Sequence, residues 1–255
     1  MICIRHYLDY AEKIHRASQM PKLNDWSNFV LRTKLADRRL PSYTRGEELF
    51  NMVSHIVGAV LGIVVLLTCI IIAAYHRNVW GVVSGAIYGF SVIILFTMSS
   101  IYHGLATGTP KKVFQILDHC TIFILIAGTY TPILLNTLRS SYPFEAWLYF
   151  AIVWGLTILG IVLNSIDLNR FKVFSLVCYI SMGWLVVLSF QKIVDALGSG
   201  LMVFLFLGGI FYTVGAILYV IGKKKKKYMH SVFHLFVVIA ALLHFLGIAI
   251  YVMPS

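Results

Sequence analysis

Seven apolar stretches follow one another at roughly 52–74, 79–102, 113–136, 144–164, 173–191, 201–222 and 229–252, each about 20 residues long. That is the length an α-helix needs to cross the hydrocarbon core of a bilayer. None shows the apolar–polar alternation of a membrane barrel strand. Within lipid the backbone has to satisfy its own hydrogen bonds, so stretches of this kind are helices. Composition excludes a soluble domain with a large core: 59% of residues are hydrophobic and 12% charged, against about 25% charged in soluble domains. The expectation is an all-α integral membrane protein with seven transmembrane helices, multi-pass in the plasma membrane.

A formal net charge of +11 would suggest a nucleic-acid partner in a soluble protein. Here the distribution of the charge gives another reason for it, and no nucleic acid is expected. Nine lysines and arginines lie between Arg5 and Arg45; Lys111 and Lys112, Arg170 and Lys172, and Lys223 to Lys227 fall in alternate loops on the same side. Arg77, Arg139 and Lys192 alone fall on the other side. The positive-inside rule then predicts a cytoplasmic N-terminus and an extracytoplasmic C-terminus. Residues 1–45 read as a basic cytoplasmic tail, either lying on the anionic inner leaflet or simply solvated, and residues 46–255 as the heptahelical domain. The first residues, MICIRHYLDYAEKIHR, lack the apolar core of a signal peptide, so the tail is expected to stay on the mature protein. Cys3, Cys69, Cys120 and Cys178 are scattered and read as small buried hydrophobes.

Ionisable groups inside membrane spans are costly and mark function by default. Glu48, Asn51 and His55 open the first helix along one stripe, at i, i+3 and i+7. Ser99 and His103 close the second, Asp118 and His119 lie near the start of the third, and His230 and His234 open the seventh. With the orientation above, all of these fall near the cytoplasmic ends of their helices. Histidines four apart share a helix face, and a catalytic zinc keeps three protein ligands with one open position. His103, His230 and His234 can supply three imidazole nitrogens. Asp118 and Ser99 can then hold a water, with Asp118 as general base, or Asp118 can ligate directly. Zinc lowers the pKa of such a water to about 7.

Each residue also has a plainer reading. Asp118 can pair with Lys111 or Lys112, Ser99 can bond back to its own helix, and Glu48, Asn51 and His55 can cap the first helix rather than support the site from behind. His244 lies about 15 Å beyond His234 along a helix and reads as an interhelical hydrogen-bonding residue. Pro132 is expected to kink the third helix, with Gly128 and Thr129 easing the bend.

Together, Glu48-x2-Asn51-x3-His55, Ser99-x3-His103, Asp118 opening helix 3 and His230-x3-His234 opening helix 7 resemble the motif set of the progestin and adiponectin receptor family, most closely its haemolysin III branch. The resemblance covers residues 45 to 255. It implies a heptahelical fold with the N-terminus inside, zinc held by His103, His230 and His234, and Asp118 and Ser99 beside the water on the metal. Through ceramidase-like membrane hydrolases it also implies hydrolysis of a lipid amide. Three functions follow as expectations: a zinc-dependent hydrolase of a membrane-lipid amide or ester, a non-enzymatic receptor-like or regulatory protein with structural zinc, and a membrane-lytic protein. Ser99 and Asp118 favour the first, since structural zinc is normally closed by four ligands.

Overall fold

The computed structural model describes residues 33–222 and 227–255. Most of the basic tail, residues 1–32, and Lys223 to Lys226 of the lysine run lie outside the described residues. Within those described, all regular structure is helical: α1 (Arg45–Tyr75), α2 (Val79–Gly104), α3 (Thr109–Pro132), a π-helical turn (Ile133–Leu138), α4 (Arg139–Ser141), α5 (Pro143–Gly183), a 3-10 turn (Leu185–Ser189), α6 (Phe190–Leu197), α7 (Gly200–Gly222), α8 (Met229–Gly247) and a closing π-helical turn (Ile248–Val252).

Six helical stretches are long and apolar enough to cross a membrane. The protein is therefore an all-α multi-pass membrane protein. The fourth stretch, Pro143–Leu197, has 55 residues, more than twice the length one crossing needs. Asp167, at φ −158° and ψ 98°, breaks its helical backbone. The Asp167 carboxylate accepts from the backbone N–H groups of Asn169 (3.0 Å) and Arg170 (3.2 Å), which caps a new helical start. Ser175 Oγ then donates to Asn164 Oδ1 at 2.7 Å. Eleven residues would span about 16 Å along one straight helix, so the chain folds back on itself at Asp167.

Sequence neighbours pack side by side. α1 lies on α2, α2 on α3 and α3 on α5, while α7 lies on α8 and α8 returns to α1. The third stretch, Thr109–Ser141, is the central one: 83% of its apolar window is buried, against 22–50% for the others. The other spans keep much of their apolar surface on the outside, where Ile71, Val79 and Ile158 are more than 60% exposed, as expected where lipid replaces water as the neighbour.

Close approach of α1 and α2 depends on glycine. A Cβ on Gly89 would sit 2.4 Å from Leu66 Cα, and one on Gly62 would sit 2.9 Å from the Ile93 backbone nitrogen. Small residues are the usual means of bringing membrane helices together where no hydrophobic force between them exists. Gly128 has the same use, since its Cβ would lie 2.2 Å from Ser91 Oγ; the sequence had suggested that it eases a proline kink. Pro132 does alter the helix, but by ending α3 in the π-helical turn, a local adjustment of the kind that re-satisfies backbone groups around proline in membrane helices.

One cross-link ties the ends of α1 and α8. Thr44 and Glu47 form a reciprocal capping box at the start of α1, with Thr44 N–H donating to Glu47 Oε2 at 2.8 Å. The second carboxylate oxygen, Oε1, accepts from Tyr228 N–H at 2.7 Å. Tyr228 stands just before α8 with φ +64°, a left-handed conformation that costs a non-glycine residue about 1–2 kcal/mol. The charge-assisted hydrogen bond to Glu47 offsets that strain.

Candidate metal centre

α8 opens at Met229, so His230 and His234 occupy its first two turns on one face. Their Nε2 atoms lie 3.0 Å apart. His103, from the last turn of α2, faces them with ring centroids 5.3 Å from His230 and 4.9 Å from His234. One ligand atom from each of the three lies within 4.8 Å of the others. Zinc–nitrogen bonds of 2.0–2.1 Å at tetrahedral angles would set nitrogens about 3.3 Å apart, so small side-chain rotations suffice to close the set on one ion.

Glu48 orients the first of these imidazoles. Its Oε2 lies 2.6 Å from His103 Nδ1, and its Oε1 lies 3.0 Å from Lys111 Nζ. With the proton on Nδ1 donated to the carboxylate, Nε2 carries the lone pair. That Nε2 is buried and has no hydrogen-bond partner among the described residues. A carboxylate behind a histidine whose far nitrogen is left open is the usual outer support of a metal ligand. An orphaned buried nitrogen also costs about 1–3 kcal/mol, which a metal would relieve. The donor set, three neutral imidazoles with no thiolate, suits zinc among several divalent ions.

The other residues singled out by sequence are placed as follows. His55 stacks on His234 at 3.7 Å between centroids and 21° between planes. Asn51 Nδ2 lies 3.5 Å from His103 Nδ1, at the limit of a hydrogen bond. Ser99 is 1% exposed and, unlike Ser91 and Ser100, which bond back to Tyr88 and Phe96 carbonyls, makes no hydrogen bond among the described residues. The Asp118 carboxylate lies 3.7 Å from His119 Nδ1. Neither lysine near it is its partner in the described contacts: Lys111 takes Glu48 and the Leu105 carbonyl, and Lys112 donates to the Ala36 carbonyl. His244 lies close to the Leu205 carbonyl, 3.2 Å from Nε2, and so joins α8 to α7.

His55, Ser99, Asp118, His230 and His234 all open onto a cavity of about 700 Å³. Beyond them its wall is mostly apolar, with Leu95, Ile122 and Leu125 on one side and Leu176, Leu205 and Val237 on others. A volume of this size matches a small-molecule site, and its lining suits a hydrocarbon chain.

Some neighbours carry no sequence signal. Tyr43 precedes α1 and its ring stacks on His230 at 5.0 Å and 13°. Burial pushes its hydroxyl pKa well up, so it stays a neutral phenol over the site. Arg38, 7% exposed, is also drawn in, and burial lowers its pKa despite nearby Asp167. Tyr219 of α7 approaches His230 from the other side at 5.3 Å. No periodicity distinguishes these aromatic residues from the other tyrosines of an apolar chain.

Residues 43–245 match the family model described as haemolysin-III related. The chain is similar to Hemolysin-3 of Bacillus cereus, 38% identical over 209 residues that cover 82% of this chain and 93% of the relative. It is similar to the Hemolysin-3 homolog of Bacillus subtilis (strain 168), 37% identical over 76% of this chain and 89% of that protein. More distantly, it is similar to the monocyte to macrophage differentiation factor of Homo sapiens, 27% identical over 72% of this chain and 77% of that one. The matched region takes in all four helix ends that converge on the histidines: the chain belongs to the haemolysin-III related family of multi-pass membrane proteins, consistent with a place in the cell membrane.

Proposed function

We propose that the protein is a zinc-dependent hydrolase of a membrane-lipid amide or ester. The observation that carries this reading is His103, held by Glu48 at Nδ1 with a buried Nε2 left open, in one cluster with His230 and His234, which line a mostly apolar cavity. His103, His230 and His234 would hold the ion. When bound, zinc supplies a Lewis acid for a carbonyl oxygen and makes hydroxide available near neutral pH. Asp118 takes the proton from the attacking water as general base, and the unpartnered Ser99 hydroxyl orients that water. The apolar wall holds the acyl chain and excludes bulk water, which strengthens each electrostatic contact inside.

We further propose seven crossings, with the N-terminus in the cytoplasm and the histidine end at the cytoplasmic leaflet. The turn-back at Asp167 supports two crossings within Pro143–Leu197, and the distribution of lysine and arginine supports the orientation. A reporter fused after Ser255 is expected outside and one in the Lys223–Lys227 loop inside; the same side for both would remove the seventh crossing.

The catalytic reading is tested at Asp118. Asp118→Asn keeps size and hydrogen bonding but is a far weaker base. It should retain zinc and fold while hydrolysis of a long-chain lipid amide falls about 10²-fold or more. Ser99→Ala should show the same pattern more weakly. Hydrolysis that survives both changes would mean the site is not the catalyst. Release of the metal by Asp118→Asn would make Asp118 a fourth ligand, and the regulatory reading with structural zinc would then be the better one.

A further inference from the structure

His55 is 3% exposed, and among the described residues neither of its ring nitrogens makes a well-formed hydrogen bond, with the His234 backbone a polar neighbour. A neutral imidazole carries one donor and one acceptor, and neither has a well-formed partner among the described residues. What holds the ring is packing: it lies face to face on His234 at 3.7 Å and edge-on to Phe96 at 5.0 Å and 84°. Buried polar groups without partners are rare in folded chains, and each calls for an explanation.

Sharing the metal does not supply one. Imidazole lone pairs lie in the ring plane. Two rings stacked 21° from parallel direct theirs along parallel layers and not to one point, and the group able to hold a single ion is His103, His230 and His234 without His55. The ring does, however, line the 700 Å³ cavity, as does Ser99, whose hydroxyl is likewise unpartnered among the described residues. Two polar side chains with unmet capacity therefore share the mostly apolar wall of this chamber with His230 and His234.

We propose that His55 is a ligand-contacting residue. Its N–H donates to the carbonyl oxygen of the amide or ester linkage of a long-chain amphiphile, and so positions that linkage beside the histidine triad while the chain fills the apolar wall. Ser99 flanks the same linkage. The proposal rests on the cavity being a lipid-substrate chamber, and it assigns to His55 recognition of the carbonyl, not the metal and not the proton.

The test uses the full chain, purified with zinc bound and reconstituted in nanodiscs. Two photoreactive probes are compared by cross-linking yield against concentration: a long-chain N-acyl amine and a hydrocarbon chain of equal length with no polar linkage. The key variant is His55→Phe, which keeps a flat ring against His234 and Phe96 but removes both nitrogens. Zinc content and thermal stability should stay near the wild-type level, since no well-formed hydrogen bond among the described residues is lost. The half-saturating concentration of the N-acyl amine should rise about tenfold, the loss of one buried hydrogen bond, and that of the plain hydrocarbon should not move. His55→Gln, which restores an N–H, should recover part of the difference. Unchanged amide labelling in zinc-loaded His55→Phe would overturn the assignment alone. Loss of zinc from that variant would also overturn it, by making His55 a support of the metal. If the wild-type protein prefers the amide no more than the hydrocarbon, the lipid-chamber reading falls together with the assignment. Should His55→Phe fail to fold, His55→Leu is read by the same two probes and the same criteria.

Discussion

At one end of the bundle Asn78 and Asn136 give every side-chain amide atom a partner. Asn78 Oδ1 accepts from the Gly81 N–H and so caps α2, while its Nδ2 donates to Asn136 Oδ1 at 2.7 Å and to the Ser255 carbonyl. Asn136 Nδ2 in turn donates to the carbonyl of Val252. These bonds join the loop before α2, the π-helical turn after α3 and the π-helical turn after α8, three pieces far apart in the chain. At the other end, Asn51 Oδ1, His103 Nε2, both nitrogens of His55 and Nδ1 of His234 are buried with no well-formed hydrogen bond among the described residues, and the cavity opens beside His55 and His234. The same kind of residue, buried at the end of a helix, is closed off in one place and left open in the other. Polar satisfaction is what a stable membrane bundle requires; among the described residues of the closed end Thr137 Oγ1 is a lone exception, whereas at the open end the unmet atoms cluster beside the cavity, as at a site whose partners come from outside the chain.

That contrast can be broken from either side. The largest effect is expected from His234→Ala, which removes one of three ligands and should strip most of the zinc measured in the purified protein, while leaving thermal stability of the metal-free form near that of metal-free wild type. Next comes Glu48→Gln. It keeps the shape behind His103 but loses the charge facing both His103 and Lys111, and zinc affinity should fall about 10–100-fold, as for other outer supports of metal ligands, in a competition assay with a metal chelator. The smallest is Asn136→Ala at the closed end. It removes one of the two acceptors of the Asn78 amide and one of the donors to the Val252 carbonyl, both of which keep a bond to Ser255, so stability should drop by about 0.5–1.5 kcal/mol in a denaturant series, with zinc content unchanged. Zinc loss from Asn136→Ala, or destabilisation without zinc loss from His234→Ala, would mean that the two ends are not separate in function.

The open end was the more legible of the two in the sequence, for a physical reason. His230-x3-His234 fixes a shared face through helix geometry alone, and the alternation of basic loops places His103 and Asp118 at the same depth as that pair. Apolar run length likewise exposed the spans, and Arg170 and Lys172 marked the polar turn at which Asp167 breaks the helix. Choice of partner was not legible. Lys111 precedes Asp118 by seven residues, yet it pairs with Glu48, because the start of α1 comes closer to it than the next turns of its own helix do. Tyr43 over His230 and the Asn78–Asn136 bond depend on which helices meet, and no local pattern encodes that. The π-helical turns were hidden for the same reason; Pro132 announced a disturbance but not its form.

The bond between Glu47 and Tyr228 joins residues 181 positions apart, and this has a consequence in time. His103 and His234 are separated by 131 residues of synthesis, about 6–26 s at 5–20 residues per second. Throughout that interval only one of the three imidazoles has been made. Only when α8 enters the membrane and Tyr228 docks on the head of α1 do the remaining two imidazoles arrive. On the proposed reading, metal uptake would be confined to finished molecules: a chain that stalls before its last helix would lack two of the three imidazoles that hold the ion.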